Sequence, residues 1–362
     1  MIVLKIVIAT GGTGGHIYPA LALAEKAKKR YKDLDLLFIG NDDRMEKDII
    51  PAQGYPFYGL HTSGLTGSLW NKARAVWQML SAQRNVKRVL KEYQPDIVIG
   101  FGGYVSAPVL LAAHSLHIKT MIHEQNSVVG KSNKLLADKV DGIVICYEKC
   151  KETLPKEKTR LLGNPRSTLA VENALLPKNI AYFESLHLPK QHPIVLIVMG
   201  SLGSSSINEM MVDTLKGIED VTFLYVTGKK DYENVKDKFH QSNVFVLDYI
   251  DQLAVLKQVD LIICRAGATT AAEITALGIP SILIPSPYVA HNHQFYNASV
   301  LVDKKCAFMI EEKELNKEVL YDKINMIIHN QKLMDDMKKN ALAVGYPNAS
   351  DDILDFMEEI VG

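Results

Sequence analysis

The sequence has few cysteines, no net charge and no long apolar run, and each deficit excludes a class of protein. Among its 362 residues are four cysteines, of which Cys146 and Cys150 form a close pair without a second pair. This pattern indicates neither a zinc site nor a disulfide framework, and we expect reduced, buried thiols as in cytoplasmic proteins. Lys plus Arg and Asp plus Glu both number 41, so the chain has no overall field that would attract nucleic acid.

The hydrophobic residues are not arranged to cross a membrane. No stretch approaches the ~20 apolar residues that a membrane-spanning helix needs. The opening MIVLKIVIAT is apolar but carries Lys5 and leads directly into a glycine turn, which favours a buried first strand over a signal peptide. Any charged partner must therefore be recognised by a local patch.

What the sequence does have is a regular alternation of strands and helices. Apolar runs rich in Val, Ile and Leu alternate with segments of helical length such as 15–31, 71–93 and 204–217. This order predicts an α/β protein with parallel sheets. Two such series, each opening with a strand and a glycine turn, predict two doubly wound domains. Their carboxyl edges are expected to face each other across a ligand-binding cleft.

We place the two domains at residues 1–163 and 164–344. The break lies near LLGNPRS, and the following LPKNIAYFESLHLPKQHP looks like a loosely patterned linker. The C-terminal segment 345–362 contains an amphipathic helix that we expect to pack back on the first domain.

The first glycine turn, ATGGTGGHIYPA, suits a ligand-binding loop. It is not a dinucleotide fingerprint, because Thr13 and Ile17 occupy positions where that motif needs glycine. Its backbone amides and the Thr13 hydroxyl still lie at a helix start, and His16 stands where a ligand would lie. The alternative is a tight turn without a ligand and a His16 that is merely on the surface.

The second half of the chain has further polar turns at strand ends. Gly200 and Ser201 in VMGSLGSSSIN precede a helix, an arrangement that suits a phosphate. In CRAGATTAAEI a second helix start is followed by Glu273, which would accept hydrogen bonds from sugar hydroxyls unless it is a solvated first-turn acid. HNHQFYNA resembles a sugar-binding edge rather than a metal site, because its two histidines lack a third ligand. We expect no metal.

Residues 69–94 form a basic segment that contains both tryptophans of the chain. Such a segment suits an anionic membrane surface. A core-facing helix with a solvated basic face is the alternative. The residues proposed to meet the membrane are Trp70, Trp77, Leu80, Arg84, Lys87 and Arg88.

Seven motifs occur in order along nearly the whole chain: GGTGGHIYPALALA, GGYVSAP, HEQNSVVGKSNK, GNPR, GSLGS, RAGATTAAE and HNHQFYNA. In this order and spacing the sequence resembles the MurG-type transferases of bacterial peptidoglycan synthesis, in glycosyltransferase family 28. The resemblance implies the GT-B fold, with two Rossmann-like domains across a cleft. It also implies an inverting transfer of N-acetylglucosamine from UDP-N-acetylglucosamine to the C4 hydroxyl of the muramyl sugar in undecaprenyl-pyrophosphoryl-MurNAc-pentapeptide. This step converts lipid I to lipid II, and no cofactor is expected.

The resemblance also implies roles for individual residues. His16 is the candidate general base, although the sequence leaves Glu124 and Asp42 open as alternatives. Gly102, Gly103 and Tyr104 are placed on the acceptor side. Arg166 departs from the family pattern, because members that read Asn-Pro-Val-Arg carry the arginine one position later. The residues expected to bind the donor are Thr13, Gly14, Gly15, Asn126, Arg166, Ser201, Ile250, Ala268, Thr269, Thr270, Ala271, Ala272, Glu273 and Gln294.

A polyprenyl-linked substrate requires contact with the cytoplasmic leaflet, and this favours the membrane-facing interpretation of 69–94. The expected partners are UDP-N-acetylglucosamine, the lipid-linked acceptor and an anionic membrane surface, but no nucleic acid. The expected location is peripheral, on the cytoplasmic face of the cell membrane. Two other classes stay open: a UDP-sugar epimerase of the same architecture, which acts on the donor alone, and a non-catalytic sugar-binding protein, which shows no turnover.

Overall fold

The computed structural model describes residues 3–62, 69–189, 191–199 and 205–362, without the side chains of 69, 71–76 and 206. Ser201 and the rest of GSLGS up to residue 204 therefore lie outside the described residues. The chain divides into two compact units, Met1–Arg166 with Asn348–Gly362, and Ser167–Pro347.

The first unit is built on a seven-stranded parallel sheet with the order β3-β2-β1-β4-β5-β6-β7. Its strands are β1 (Leu4–Ala9), β2 (Leu34–Asn41), β3 (Phe57–Leu60), β4 (Ile97–Gly100), β5 (Lys119–Glu124), β6 (Gly142–Ile145) and β7 (Thr159–Leu161). Its first helices are α1 (Gly14–Arg30), α2 (Glu46–Ala52), α3 (Leu69–Tyr93), α4 (Ser106–Ser115) and α5 (Lys131–Leu136). All four residues of β4 are buried, as expected of a central parallel strand covered on both faces.

The second unit contains a six-stranded parallel sheet with the order β10-β9-β8-β11-β12-β13. Its strands are β8 (Ile194–Val198), β9 (Thr222–Val226), β10 (Val244–Leu247), β11 (Leu261–Cys264), β12 (Ser281–Leu283) and β13 (Ala307–Met309). The helices that follow α5 along the chain are α6 (Pro165–Asn173), α7 (Pro177–Glu184), α8 (Ser205–Thr214), α9 (Tyr232–Val235), α10 (Gln252–Val255), α11 (Ala268–Leu277), α12 (His293–Asp303), α13 (Lys317–Ile328) and α14 (Gln331–Val344). In both sheets the strand order reverses beside the first strand, and this is the switch point where doubly wound folds bind ligands.

In each sheet an aspartate at the amino edge binds the backbone of the neighbouring strand. Asp96, just before β4, accepts a hydrogen bond from the Lys5 backbone amide of β1 at 2.7 Å. Asp260, just before β11, accepts one from the Ile194 amide of β8 at 2.9 Å. These contacts lie at the edge away from the glycine turns.

The last helix of the chain, α15 (Ala349–Val361), belongs to the first unit. It buries Ile353, Leu354 and Met357 in the core formed by α1 and the sheet. Lys26 of α1 also pairs with Asp351 at 2.8 Å. Apolar packing on one face of α15 and an ion pair at its N-terminal end thus hold the helix against the first unit.

The expectation of a loosely patterned linker after the first domain is wrong. Residues Pro177–Glu184 of that segment form α7, and its Tyr182 and Phe183 pack against the core of the second unit. The apolar residues span only two helical turns and lie among Pro and Lys, so the pattern is too short to indicate a helix. None of the helices within the described residues is long and apolar enough to cross a membrane.

Candidate active site

The first glycine turn positions His16 at the carboxyl edge of the first sheet. The turn connects β1 to α1, and Gly12 has a φ of 90°, which favours glycine. His16 lies in the first turn of α1, with Nδ1 3.0 Å from the carbonyl oxygen of Gly11 and 3.3 Å from Oγ1 of Thr13. Because a carbonyl only accepts, Nδ1 carries the proton and Nε2 carries the lone pair. This is the tautomer that can take a proton from a substrate hydroxyl at Nε2.

A second glycine turn, after β4, lies against the first. Gly102 and Gly103 have φ values of 98° and 84°. A β-carbon on Gly102 would lie 2.8 Å from Cδ2 and 2.9 Å from Nε2 of His16, and one on Gly103 would collide with the Gly11 carbonyl oxygen. Tyr104, the next residue, is 48% exposed. The structure thus brings Gly102 against His16 and Gly103 against the first glycine turn.

The loop after β5 carries Asn126 at the same edge. Glu124, at the end of the strand, is buried and accepts hydrogen bonds from the backbone amides of Asn126 and Gly130, at 3.0 and 2.8 Å, and from Nδ2 of Asn133 at 2.9 Å. Burial raises the pKa of Glu124 although these hydrogen bonds oppose the shift. The carboxylate holds the Asn126 loop, and a proton-accepting role would break these contacts.

Asp42, the other alternative base, lies beyond the end of β2. Its Oδ1 is 3.2 Å from Nδ1 of His61. Asp42, Asp43 and His61 form a group of ligand-type side chains whose ligand atoms lie within 4.8 Å of one another in the described part of the chain. All three side chains are exposed, and exposed acidic groups of this kind are common in proteins that bind no metal there.

Sequence reasoning missed two buried titratable residues beneath the turns, His123 and Glu46. His123 stacks on Phe101 with ring centroids 5.0 Å apart, and its Nε2 donates to the Gly163 carbonyl at 3.0 Å. Burial lowers the pKa of His123 to about 4, so the ring is neutral at physiological pH. Glu46 is fully buried beside Gly12. Its neighbours in the sequence, DDRMEKD, look like a solvated helix start, so no local signal reveals its burial.

In the second unit, α11 begins at the carboxyl edge with Ala268, Thr269, Thr270, Ala271 and Ala272. The Thr269 hydroxyl is buried and has no hydrogen-bond partner among the described residues. Glu273, one turn into the helix, is 1% exposed and accepts a hydrogen bond from Nε2 of Gln252 at 2.8 Å. Ile250, between β10 and α10, is also buried. The helix N-terminus carries a partial positive charge that favours an anion.

The start of α12 lies beside that of α11. Asn297 of α12 donates from Nδ2 to the carbonyl of Ala266, just before α11, at 3.2 Å. Gln294, one turn earlier, accepts a hydrogen bond from the Ser286 amide at 2.9 Å. This contact occupies the amide oxygen and so directs the Gln294 side-chain NH₂ group elsewhere.

Arg166 is the last residue of the first stretch of chain assigned to the first unit. It lies at the start of α6, where its guanidinium lies 5.7 Å from the centroid of the Tyr18 ring of α1. Helix α8 begins at Ser205, directly after the undescribed residues 200–204. The Ser205 hydroxyl donates a hydrogen bond to the Asp231 carboxylate at 2.8 Å.

Helix α3 presents two different faces. Its inner face buries Ala82, Val86 and Leu90. On the opposite side Trp70, Trp77 and Leu80 are 85, 69 and 48% exposed. A helix repeats every 3.6 residues, so the basic residues at positions 84, 87, 88 and 91 fall on this same outer side. Arg84, Lys87, Arg88, Lys91 and Glu92 line a shallow groove there.

Comparison with known proteins extends these observations to the whole chain. Residues 6–145 match the glycosyltransferase family 28 N-terminal domain, and residues 194–353 match the glycosyltransferase family 28 C-terminal domain. Over 365 residues the chain is 42% identical to the UDP-N-acetylglucosamine--N-acetylmuramyl-(pentapeptide) pyrophosphoryl-undecaprenol N-acetylglucosamine transferase of Halalkalibacterium halodurans, with 99% of each sequence covered.

Solved structures show the same relationship. The crystal structure of Acinetobacter baumannii MurG matches with a TM-score of 0.80 and 28% identity, covering 99% of this chain and 100% of that one. A UDP-GlcNAc 2-epimerase from Neisseria meningitidis, bound to UDP-GlcNAc, matches with a TM-score of 0.72 but only 13% identity, covering 98% of this chain and 100% of that one. The second likeness concerns the fold alone. The prediction of two Rossmann-like domains of the GT-B type is confirmed.

Proposed function

Because the chain belongs to glycosyltransferase family 28, we infer that it transfers N-acetylglucosamine from UDP-N-acetylglucosamine to undecaprenyl-pyrophosphoryl-MurNAc-pentapeptide. The observation that carries this inference is the 42% identity, over 99% of both sequences, to a transferase of that name. The reaction converts lipid I to lipid II in peptidoglycan synthesis. The C4 hydroxyl of the muramyl sugar attacks the anomeric carbon, UDP leaves with the electron pair of the broken bond, and the configuration inverts.

His16 is the proposed general base. The attacking hydroxyl must lose its proton as the new bond forms, and the neutral imidazole of a histidine is suited to this near pH 7. The 3.0 Å contact between Nδ1 and the Gly11 carbonyl supports the assignment, since it leaves the lone pair on Nε2. Gly102, Gly103 and Tyr104 are proposed to meet the acceptor, because their turn lies against His16.

The donor nucleotide is proposed to bind at the carboxyl edge of the second unit. The N-terminus of α11 would stabilise the charge that develops on the departing diphosphate. The Thr269 hydroxyl, buried without a partner in the described structure, suits a ligand oxygen. Glu273 would accept hydrogen bonds from ribose hydroxyls, Ile250 would meet the uracil through its main chain, and Gln294 would bind sugar hydroxyls.

The remaining donor contacts stay predictions from the resemblance. Thr13, Gly14, Gly15 and Asn126 lie at the carboxyl edge of the first sheet, and Ser201 lies outside the described residues. The donor contact of Arg166 is likewise a prediction, and its guanidinium lies 5.7 Å from the centroid of the Tyr18 ring.

We propose that the outer side of α3 binds the anionic cytoplasmic leaflet, which makes the enzyme a peripheral membrane protein. Exposed tryptophans on a helix prefer the interface between headgroups and acyl chains. Each Lys or Arg near an anionic surface contributes about 1 kcal/mol of attraction. The lipid tail of the acceptor requires contact of this kind.

Product analysis tests the proposed reaction. The protein is incubated in EDTA with UDP-N-acetylglucosamine and a short-chain analogue of the lipid acceptor, and the product is examined by mass spectrometry and NMR. The expected product is a β-1,4-linked disaccharide that retains the pyrophosphoryl lipid. Epimerised donor with no disaccharide would indicate the epimerase, and absence of any turnover would indicate a binding protein.

A further inference from the structure

Beneath the first glycine turn, the carboxylate of Glu46 is the centre of a buried polar network. Glu46 begins α2, and its side chain is fully buried. Its oxygens accept hydrogen bonds from the Asn41 amide at 3.0 Å, from Nδ2 of Asn41 at 2.8 Å, and from the Gly12 amide at 3.1 and 3.2 Å. All these donors are N–H groups, so the carboxylate acts here only as an acceptor.

Thr62 holds the side-chain amide of Asn41 in the orientation in which its NH₂ group donates to Glu46. Thr62 is buried, and its hydroxyl donates to Oδ1 of Asn41. Because the oxygen of the Asn41 side chain is occupied in this way, its NH₂ group points towards Glu46. The network therefore runs from Thr62 through Asn41 to Glu46 and ends on the glycine turn.

The contact between Glu46 and Gly12 reaches His16 through a single peptide group. The amide N–H that Glu46 binds and the carbonyl that accepts from Nδ1 of His16 belong to the same peptide, which joins Gly11 to Gly12. A trans peptide is planar and rigid, with its N–H and C=O on opposite sides. Fixing its N–H side therefore fixes the direction in which its carbonyl points.

Two neighbouring glycines leave space for the Glu46 side chain that any other residue would fill. A β-carbon on Gly11 would collide with Oε1 of Glu46, and one on Gly40 would lie 2.8 Å from Cγ of Glu46. A carboxylate that binds the N–H also polarises the peptide and strengthens its carbonyl as an acceptor. Both effects favour the Nδ1–H form of the imidazole.

We propose that Glu46 is a positioning residue that sets the orientation and the tautomer of His16 through the Gly11–Gly12 peptide. It acts as the buried aspartate of a catalytic triad acts on its histidine, except that a peptide group stands between the two side chains. The inference rests on the proposed role of His16 as the base of the transfer reaction.

The test compares Glu46→Gln with Asp96→Asn in the full chain. Glu46→Gln keeps the shape of the side chain but removes the charge and turns an NH₂ group towards N–H donors. Asp96→Asn makes the same chemical change in a carboxyl group that binds a backbone amide at the opposite end of β1. Loss of stability alone would affect both variants, and only Glu46→Gln is expected to affect His16.

Two measurements serve as readouts. The first separates kcat from the KM for UDP-N-acetylglucosamine. Glu46→Gln should lower kcat about ten- to a hundredfold, as small misplacements of catalytic groups do. The donor KM should stay within about twofold, because the proposed contacts to the nucleotide belong to the second unit. The second is the ¹⁵N NMR spectrum of the imidazoles, in which one of the eleven histidines is assigned to His16 by its loss in His16→Gln. We expect the Nδ1–H tautomer in the parent and a mixture with Nε2–H in Glu46→Gln.

The outcomes separate this proposal from the proposed role of His16. An unchanged tautomer in Glu46→Gln, or an equal fall in kcat in Asp96→Asn, would overturn the positioning role. If His16→Gln keeps full turnover, the assignment of His16 as base fails, and the tautomer alone then decides whether Glu46 positions the ring. If Glu46→Gln does not fold, Thr62→Val tests the same network from its far end. It should lower kcat several-fold with an unchanged donor KM, and an unchanged kcat would contradict the proposal.

Discussion

The imidazole ring of His16 lies on the side of Gly102 where any other residue would carry its β-carbon. A β-carbon at that position would be 2.8 Å from Cδ2 and 2.9 Å from Nε2. Two glycine turns that are far apart in the sequence thus meet at the nitrogen that we propose to act as the base. This relationship makes the site sensitive to a single methyl group.

Gly102→Ala should lower kcat by about tenfold or more, because displacing the ring moves Nε2 from its place. Gly54→Ala is the matched control, since Gly54 also has a positive φ, 77°, but open space around its β position. Both variants should lose about 1 kcal/mol or somewhat more of folding free energy from backbone strain. Thermal unfolding and steady-state kinetics measure the two effects. Equal kcat values for the two variants would contradict the predicted effect of displacing the His16 ring.

Removal of the proposed base should affect turnover rather than donor binding. His16→Ala is expected to lower kcat about 10²- to 10⁴-fold, the usual contribution of general base catalysis. The Kd for UDP, measured by calorimetry, should stay within about twofold, because the proposed nucleotide contacts lie elsewhere. His114→Ala, at an exposed position of α4, serves as the control. Equal losses of turnover and UDP affinity would make His16 a binding residue.

Glu273→Ala should chiefly weaken the donor complex. The loss of hydrogen bonds from ribose hydroxyls to a charged group is expected to raise the donor KM about tenfold or more. Gln252→Ala should act in the same direction but less strongly, since Gln252 binds Oε2 of Glu273 at 2.8 Å. Glu318→Ala, on the surface of the same unit, should leave the KM unchanged. An unaltered KM in Glu273→Ala would remove this residue from the nucleotide site.

The outer side of α3 should account for membrane binding. Replacing Trp77, Arg84 and Lys87 together with serine should reduce co-sedimentation with phosphatidylglycerol vesicles by about tenfold or more, since the two cations alone contribute about 2 kcal/mol. A control with Tyr321, Lys332 and Lys339 replaced by serine removes one exposed aromatic residue and two cations from the second unit. Similar binding of the two triple variants would show that the membrane surface lies elsewhere.

The buried His123 should make the protein sensitive to mild acid. Its pKa is about 4 in the folded state and about 6.5 in the unfolded chain. Between these pH values the unfolded state binds more protons, so the free energy of unfolding decreases as the pH falls from 6.5 to 4. The total loss attributable to His123 is about 3 kcal/mol.

His123→Gln keeps a donor for the Gly163 carbonyl and removes the titration. Urea unfolding between pH 4 and 7 should therefore show a shallower dependence on pH in His123→Gln than in the parent, by up to about one proton. Burial also raises the pKa of Glu124. Because Glu124 is present in both proteins, it does not account for a difference between their pH dependences. If the free energies of unfolding of the two proteins show the same dependence on pH, the acid sensitivity does not come from His123.

The sequence was informative where local chemistry determines the structure. The apolar run before each glycine turn and the helix after it predicted the parallel sheets, and the turns themselves predicted where His16, Gly102 and Thr269 lie. These signals are local, because a parallel strand covered on both faces must be apolar and a tight turn needs glycine.

The rest depends on contacts between distant parts of the chain. Glu46 lies in a run of charged residues typical of a surface, and only the fold brings it under the turn that holds His16. His123 stands next to Glu124 in a polar motif, yet its ring is buried against Phe101. Helix α7 is stabilised by packing of its few apolar residues against the core of the second unit. The sequence pattern of these eight residues alone does not indicate such a contact.

The transferase assignment is tested by the rate of UDP release from UDP-N-acetylglucosamine, measured in EDTA with and without the short-chain lipid acceptor. A transferase should release UDP only in the presence of the acceptor, in an amount that matches the disaccharide formed. Release, or epimerisation of the sugar, at the same rate without the acceptor would contradict the transferase assignment.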